Sequence, residues 1–131
     1  MSSKNKLVWL RWILVVKIAL SFLFWGLPFL LSPLSLLQRF GAPVPDDPFY
    51  LRLLGAVIIA LGVAYCYAWK DPVHNVAILK AGIVDNGLVM LVNLYFIVFH
   101  NLRSITMFIS AVLTFFFMLA FILLMPKTEA A

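Results

Sequence analysis

The chain has 131 residues, of which 65% are hydrophobic and 11% are charged, and its formal net charge is +5. In a soluble domain about a quarter of the residues are charged, so this composition excludes an ordinary water-soluble domain and predicts an integral membrane protein. The apolar residues form four long segments, which leave little chain for anything else. We predict one all-α transmembrane domain over residues 1–131, a four-helix bundle with a short interfacial helix between spans one and two.

The first predicted span covers residues 7–31. Lys4 and Lys6 precede it, as basic residues precede the apolar core of a signal peptide. The run is too long for a signal peptide, contains Arg11 and Lys17, and lacks a cleavage site of small residues. We therefore expect a span that is retained in the protein.

A short amphipathic segment, residues 34–40, comes next. Ser32-Pro33 opens it and Gly41 closes it, which is the pattern of a helix start and a helix end. Its leucines are interspersed with polar residues, so we expect a helix that lies in the membrane interface.

Two Asp-Pro pairs mark the next helix starts. In Asp47-Pro48 and Asp71-Pro72, a capping carboxylate precedes a proline at the first helical position. A tight turn around His100-Asn101 separates the last two spans and implies that they are antiparallel neighbours. The predicted spans two, three and four cover residues 49–69, 72–99 and 104–125.

The basic residues indicate the orientation. Six fall on the side that holds both termini and three on the other side. These are Lys4, Lys6, Arg11, Lys70, Lys80 and Lys127, against Arg39, Arg52 and Arg103. This bias predicts a multi-pass protein of the bacterial cytoplasmic (inner) membrane with both termini in the cytoplasm, although dual insertion stays open. The basic residues form no patch, so we expect the lipid bilayer and no nucleic acid as partner.

Span three carries costly polar residues, because Asp85, Asn86 and Asn93 lie inside an apolar run. Polar groups at that depth are energetically costly, so they either have hydrogen-bonding partners or mark a functional site. Residues at steps of three and four share one seam of the helix, and Asp85 lies beside it. The seam comprises Gly82, Asn86, Val89, Asn93, Phe96 and His100. We favour interhelical hydrogen bonding as its role, with a polar path for a substrate or proton as the alternative.

Span four offers hydroxyl partners for this seam. Thr106, Ser110 and Thr114 recur every four residues, and Ser110 lies at a depth close to that of Asn93. A hydroxyl and an amide at the same depth can meet across an antiparallel pair. The alternative is that these hydroxyls bond to carbonyls of their own helix.

Lys17 is the other costly group within the membrane. Counted at ~1.5 Å per residue, Lys17 and Asp85 both reach a depth of ~14 Å, near the midplane of a ~30 Å core. Spans one and three run parallel in a four-span chain, so we predict a Lys17–Asp85 ion pair. Arg52, at the start of span two, is expected to extend outward toward Asp46 or Asp47.

Span two has a face of small residues. Ala56, Ala60, Ala64 and Ala68 recur every fourth residue, and Gly55 and Gly62 lie nearby. Small residues at this interval allow two helices to approach closely. Two alternatives stay open for the partner helix: a helix of the same chain or one of a second copy.

The sequence offers little for catalysis or metal binding. Cys66 is the single cysteine, so no disulfide or dithiol forms within the chain. His74 and His100 would lie ~39 Å apart along a continuous helix, too far to share a metal. We find no phosphate loop or nucleophile motif. We expect no metal, no cofactor and no catalytic residue.

Parts of spans two and three resemble small bacterial four-span membrane proteins of the loosely defined DoxX-like group. The resemblance is carried by Leu51-Arg52-Leu53-Leu54-Gly55, Asp71-Pro72 and Lys80-Ala81-Gly82. It implies a compact helical bundle in the cytoplasmic membrane and assigns no functional residue.

The sequence favours a non-catalytic integral membrane protein that assembles with itself or serves as an accessory subunit of a larger membrane complex. The main alternative is a small transporter or proton-coupled carrier that uses Lys17, Asp85, Asn86 and Asn93. A third hypothesis, an intramembrane enzyme or a lipid- or quinone-binding protein, rests on the same polar residues.

Overall fold

The computed structural model describes residues 2–126, which form helices and connecting segments without a strand. The helices are α1 (Ser3–Leu20), a π-helical segment (Ser21–Gly26), α2 (Leu27–Leu31), α3 (Leu34–Arg39), α4 (Phe49–Lys70), α5 (Val76–Phe99) and α6 (Ile105–Leu124). Four stretches are long and apolar enough to cross a membrane: Ser3–Leu31, Phe49–Lys70, Val76–Phe99 and Ile105–Leu124. The predicted fold class is confirmed. Lys127, which contributed to the predicted orientation, lies outside the described residues.

The four spans form a bundle in which α1 and α5 face each other across the diagonal. α5 packs along α6, α1 packs between α6 and α4, and the π-helical segment and α2 pack on α4. The contact between α4 and α5 is much smaller than that between α5 and α6. The bundle is therefore closed on three sides and loose on the fourth.

The two halves of the bundle differ in packing. We call the membrane side that carries Ser3 and Leu124 the terminal side, and the opposite side the distal side. The terminal half contains a core of fully buried side chains from all four spans, so it is tightly packed. These residues are Leu10, Leu14, Tyr65, Ala68, Leu79 and Phe121.

The π-helical segment interrupts the first span because of a proline. The Leu27 N–H bonds to the carbonyl of Phe22, five residues earlier. Pro28 has no N–H, and its ring would collide with the carbonyl of Phe24 in a regular α-helix. The wider turn accommodates the ring without ending the span.

The third span begins at Val76, not at Pro72 as the sequence predicts. Asp71 caps the turn before the helix: its Oδ1 accepts a hydrogen bond from the His74 backbone N–H at 3.1 Å. Its Oδ2 lies 2.7 Å from His74 Nδ1. The backbone N–H of His74 holds the pKa of the Asp71 carboxyl below its usual value, because it stabilises the ionised form. At the second span, Asp47 Oδ1 accepts from the Phe49 N–H at 2.9 Å, but Pro48 is the N-cap residue and not the first helical residue as predicted.

The predicted direction of Arg52 is wrong. Its guanidinium donates to the carbonyls of Phe29 and Ser32, both at 2.8 Å. A helix end leaves several carbonyls without partners, and α2, the last helix of the first span, ends at Leu31. Arg52 therefore satisfies the end of the first span and does not extend toward the aspartates that precede α4.

Close packing on α4 comes from its glycines and not from the full alanine face. A Cβ on Gly55 would lie 2.6 Å from the Leu30 nitrogen, and one on Gly62 would lie 2.9 Å from the Phe22 ring. Residues seven apart share a face, whereas a four-residue step drifts around the helix. Consequently Ala68 is buried and Ala64 half-buried, but Ala56 and Ala60 are exposed.

Candidate functional site: a cavity in the distal half

A cavity of about 500 Å³ occupies the distal half of the bundle. The π-helical segment, α4, α5 and α6 supply most of its walls, which are largely aliphatic and aromatic. A smaller set of polar and charged residues also lines it: Lys17, Ser21, Tyr65, Asp85, Asn93, Thr106, Ser110 and Thr114. Apolar walls with a few converging polar groups are typical of ligand-binding pockets.

Lys17 lies at the floor of the cavity, where the distal half meets the packed core. Its Nζ donates to Asn86 Oδ1 at 2.6 Å, across the diagonal between α1 and α5. The same Nζ lies 4.9 Å from the centroid of the Phe117 ring and 5.6 Å from that of Tyr65. Both rings are within the range of a cation–π interaction. One amide oxygen and two ring faces thus surround the ammonium group.

Asn86 is fully buried, at 0% exposure, and its orientation is fixed by chemistry. An ammonium group can only donate, so it must face the amide oxygen. The Asn86 Nδ2 donates in turn to the Gly82 carbonyl at 2.6 Å, one turn earlier in the same helix. Both polar atoms of the Asn86 side chain therefore have hydrogen-bond partners, and the bond to Gly82 holds the amide oxygen in position for Lys17.

Lys17 and Asp85 do not form the predicted ion pair. In the described part of the chain, no ion pair within 4.0 Å joins them. The depth estimate is consistent with the contact that Lys17 does make, since Asn86 follows Asp85 directly. The side chains of Asp85 and Asn86 nevertheless point in different directions, because neighbouring residues of an α-helix lie about 100° apart around its axis. Asn86 therefore faces the core, while Asp85 lines the cavity.

Tyr65 is a site residue that sequence reasoning missed. The residue is 1% exposed, lines the cavity, and its hydroxyl has no hydrogen-bond partner among the described residues. Gly82 makes room for this hydroxyl, because a Cβ there would lie 2.8 Å from the Tyr65 oxygen. A buried hydroxyl without a partner is costly. The signal in the sequence was a tyrosine in the interior of an apolar span.

The hydroxyl residues of α6 have three different roles. Asn93 Nδ2 donates to Ser110 Oγ at 3.0 Å, the contact that their similar depth predicts. Thr114 instead donates to carbonyls of its own helix, those of Ser110 at 2.8 Å and Ala111 at 3.1 Å. Thr106 donates to the Gly41 carbonyl at 2.9 Å. Of these three hydroxyl residues, Ser110 is the one whose side chain bonds to another span among residues 2–126.

The predicted seam of α5 does not stay inside the bundle. Gly82 and Asn86 are buried and Asn93 is partly buried, but Val89, Phe96 and His100 are exposed. The seam leaves the interior because α5 packs on α6 and only slightly on α4. The Phe96 and His100 rings contact each other, with centroids 4.9 Å apart.

The distal end of the cavity is covered by the segment that follows α3. Ala42 and Pro43 line the cavity there. Gly41 turns the chain with a φ of +72°, a conformation that favours glycine. Its carbonyl accepts hydrogen bonds from the hydroxyls of Ser104 and Thr106. These bonds attach the segment to the start of α6.

The cavity also opens sideways, between α4 and α5. Several lining residues of these two helices are exposed, among them Leu54 (47%), Val57 (49%), Leu88 (58%) and Val92 (56%). They come from the two helices that pack loosely against each other. In a membrane this face contacts lipid, so the opening leads to the hydrocarbon region of the bilayer.

These features define an integral, multi-pass membrane protein whose helical bundle contains an internal cavity. No protein-family model, curated protein or solved structure matches this chain. Within residues 2–126, no group of three histidine, cysteine, aspartate or glutamate residues is placed to hold a metal ion.

Proposed function

We propose that this protein binds a small amphipathic molecule in its distal cavity, as a non-catalytic binding protein or carrier of the membrane. The supporting observation is the cavity of about 500 Å³, which has apolar walls and the Lys17 ammonium group at its floor. Pockets for small molecules typically measure about 300–1,000 Å³ and combine apolar walls with a few polar groups. A charged group buried in such a wall is energetically costly, and charged residues inside a membrane commonly mark functional sites.

The side opening between α4 and α5 supports a ligand that arrives from the bilayer. Exposed apolar residues such as Val57 and Leu88 form its edges. A strongly hydrated solute would gain little from these edges, whereas a molecule with an apolar body could enter along them. Its polar group would then meet the polar residues at the cavity floor.

The packed terminal half supports the carrier alternative. Lys17 is reached through the cavity and its side opening, while side chains such as Leu10 and Phe121 close the terminal half. Carriers with a central binding site expose it to one side of the membrane at a time. Carriage would require a second conformation, and binding alone does not.

Photolabelling tests the proposed binding. The probe is a neutral decyl alcohol with a diazirine on its chain, and the protein is embedded in lipid nanodiscs. We expect saturable labelling of cavity residues such as Ile58. Leu113→Trp should reduce it at least severalfold, because Leu113 lines the cavity. Val112→Trp is the matched control, since Val112 is exposed and lies outside the cavity lining. Equal labelling in both variants would disprove the proposal.

Self-assembly is a second proposal, supported by the exposed part of the alanine face. Ala56 and Ala60 are exposed on α4, so a second copy could pack there closely. Assembly as an accessory subunit, membership of the DoxX-like group and location in a bacterial cytoplasmic membrane also stay proposals. Mass measurement in nanodiscs tests self-assembly: Ala60→Leu should shift a dimer to the monomer, and an unchanged mass would refute this contact.

A further inference from the structure

We propose that the cavity selects an amphiphile with an anionic head group, and that each bound anion is accompanied by one proton taken up at Asp85. This inference rests on the proposed function and specifies the chemical class of the ligand. A carboxylate or a sulfonate on an apolar chain would qualify. No covalent step is involved: a proton from the aqueous phase converts the Asp85 carboxylate into the acid, and the ligand anion is unchanged.

The hydrogen-bond donors at the cavity floor favour an acceptor head group. An ammonium group has three donors, and one of those of Lys17 is used by Asn86. Lys17 lines the cavity. Oxygens of an anionic head group could therefore accept from the remaining donors of the ammonium group. The Tyr65 hydroxyl is buried beside Gly82 and is not exposed to the cavity.

The charges around the cavity imply the coupled proton. α1 contributes Lys17, α5 contributes Asp85 and α4 contributes the titratable hydroxyl of Tyr65, while the lining residues of α6 and of the covering segment are uncharged. With Lys17 and Asp85 ionised, the empty cavity is neutral. A bound anion adds one negative charge in an apolar environment, where an uncompensated charge is costly. Uptake of one proton restores neutrality.

The local contacts indicate that Asp85, and not Lys17, changes its protonation. The ionised form of Lys17 is stabilised by the Asn86 oxygen and by the faces of two aromatic rings. No hydrogen bond or ion pair involving the Asp85 carboxylate occurs within residues 2–126. The protein therefore stabilises the Lys17 cation, but no comparable contact stabilises the Asp85 carboxylate. Loss of the Lys17 proton, which binding of a cation would require, sacrifices three favourable contacts.

A photoreactive decyl sulfonate tests this coupling, because it stays ionised when the pH changes. Saturation of cavity labelling is measured in nanodiscs between about pH 8 and about pH 6, with the decyl alcohol probe as the neutral control. One coupled proton should tighten sulfonate binding by about tenfold for each unit of decrease in pH. Alcohol binding should not change. Sulfonate binding that is independent of pH in the native protein would overturn the proton coupling.

Variants separate the two parts of the inference. Asp85→Asn should bind the sulfonate equally at all pH values, and more tightly than the native protein at about pH 8. Lys17→Met should abolish sulfonate binding and weaken binding of the uncharged alcohol much less; the alcohol labelling that remains shows that the cavity is intact. Lys17→Arg retains the cation and should retain the sulfonate.

The two probes also distinguish failure of the inference from failure of the proposed function. If the native protein binds the alcohol in the cavity but not the sulfonate, the cavity is a binding site and its selectivity for anions is disproved. If neither probe labels the cavity, the proposed function itself is disproved. If Lys17→Met still binds the sulfonate, the ammonium group is not the recognition element and the inference is wrong.

Discussion

The Lys17 ammonium and the Asn86 side-chain oxygen, 2.6 Å apart, join two helices that lie diagonally opposite each other in the bundle. α1 and α5 otherwise make little contact, because α4 and α6 lie between them. This bond marks the level at which the tightly packed terminal half ends and the cavity begins. We therefore expect it to determine both the stability of the bundle and the shape of the cavity floor.

A double-mutant cycle tests the Lys17–Asn86 bond. Asn86→Leu removes the oxygen and leaves a buried ammonium group without its acceptor, so we expect a loss of about 2–3 kcal/mol in the free energy of unfolding. Lys17→Met in the same background should then cost much less, with a coupling energy of about 1.5–3 kcal/mol. Unfolding in mixed detergent micelles measures these differences. The matched cycle of Lys17→Met with Asp85→Asn should give the smaller coupling; a larger one would contradict the geometry.

Substitution of alanine for either of two glycines in α5 should change the stability of the protein in opposite directions. A Cβ at Gly82 would lie 2.8 Å from the Tyr65 oxygen and 3.0 Å from the Phe121 ring, and both rings are buried. We expect Gly82→Ala to destabilise the protein by about 1–3 kcal/mol through overpacking. At Gly87 the nearest atom, the Met118 sulfur, is 3.4 Å away. Gly87→Ala should therefore stabilise the helix by about 0.5–1 kcal/mol. Thermal unfolding that ranks the two variants in reverse order would refute this packing.

On α4 the close contact depends on Gly55 and not on Ala60. A methyl group on Gly55 would meet backbone atoms, the Leu30 nitrogen at 2.6 Å and the Gly26 oxygen at 2.9 Å. Backbone cannot move aside as a side chain can, so Gly55→Ala should cost about 1–3 kcal/mol. Ala60→Leu should change the stability of the monomer by less than about 0.5 kcal/mol. Unfolding measured at a dilution that excludes association checks both values, and a larger loss for Ala60→Leu would refute the assignment.

The orientation of the protein can be measured independently of its ligand. Reporter fusions at the two ends of the chain should both be active in the cytoplasm, since the basic residues favour the terminal side. Opposite locations for the two ends would contradict four crossings. Activity on both sides for each fusion would indicate dual insertion.

Acid should weaken the turn between α4 and α5. The folded-state pKa of Asp71 is lowered by the His74 N–H, so its stabilising contribution is present above the ordinary aspartate pKa of about 3.9. The contribution is lost as the pH falls through the lower folded value. The difference in melting temperature between native protein and Asp71→Ala should therefore be constant near neutral pH and shrink in that acid range. A difference that grows on acidification would contradict this sign.

Much of the fold follows from the sequence, because the length of apolar runs and the Asp-Pro and Ser-Pro pairs limit where helices can lie. Depth was also predictable: counting residues correctly placed Ser110 beside Asn93. The direction in which a side chain points around its helix axis was harder to predict from the sequence. Asp85 and Asn86 differ by one position, yet one lines the cavity and the other is the partner of Lys17. The cavity itself could not be predicted, since it depends on how far α4 separates from α5.

The π-helical segment has a consequence for the register of the first span. Lys17 and Phe29 both line the cavity, although they are 12 positions apart. In a regular α-helix their side chains would point about 120° apart, and the extra residue of the wide turn reduces this to about 20°. Deletion of Leu23 would leave the two residues 11 positions apart, and a regular α-helix of that length also places their side chains about 20° apart. The wide turn thus absorbs one extra residue without rotating the charge away from the apolar wall, so both stay on one face.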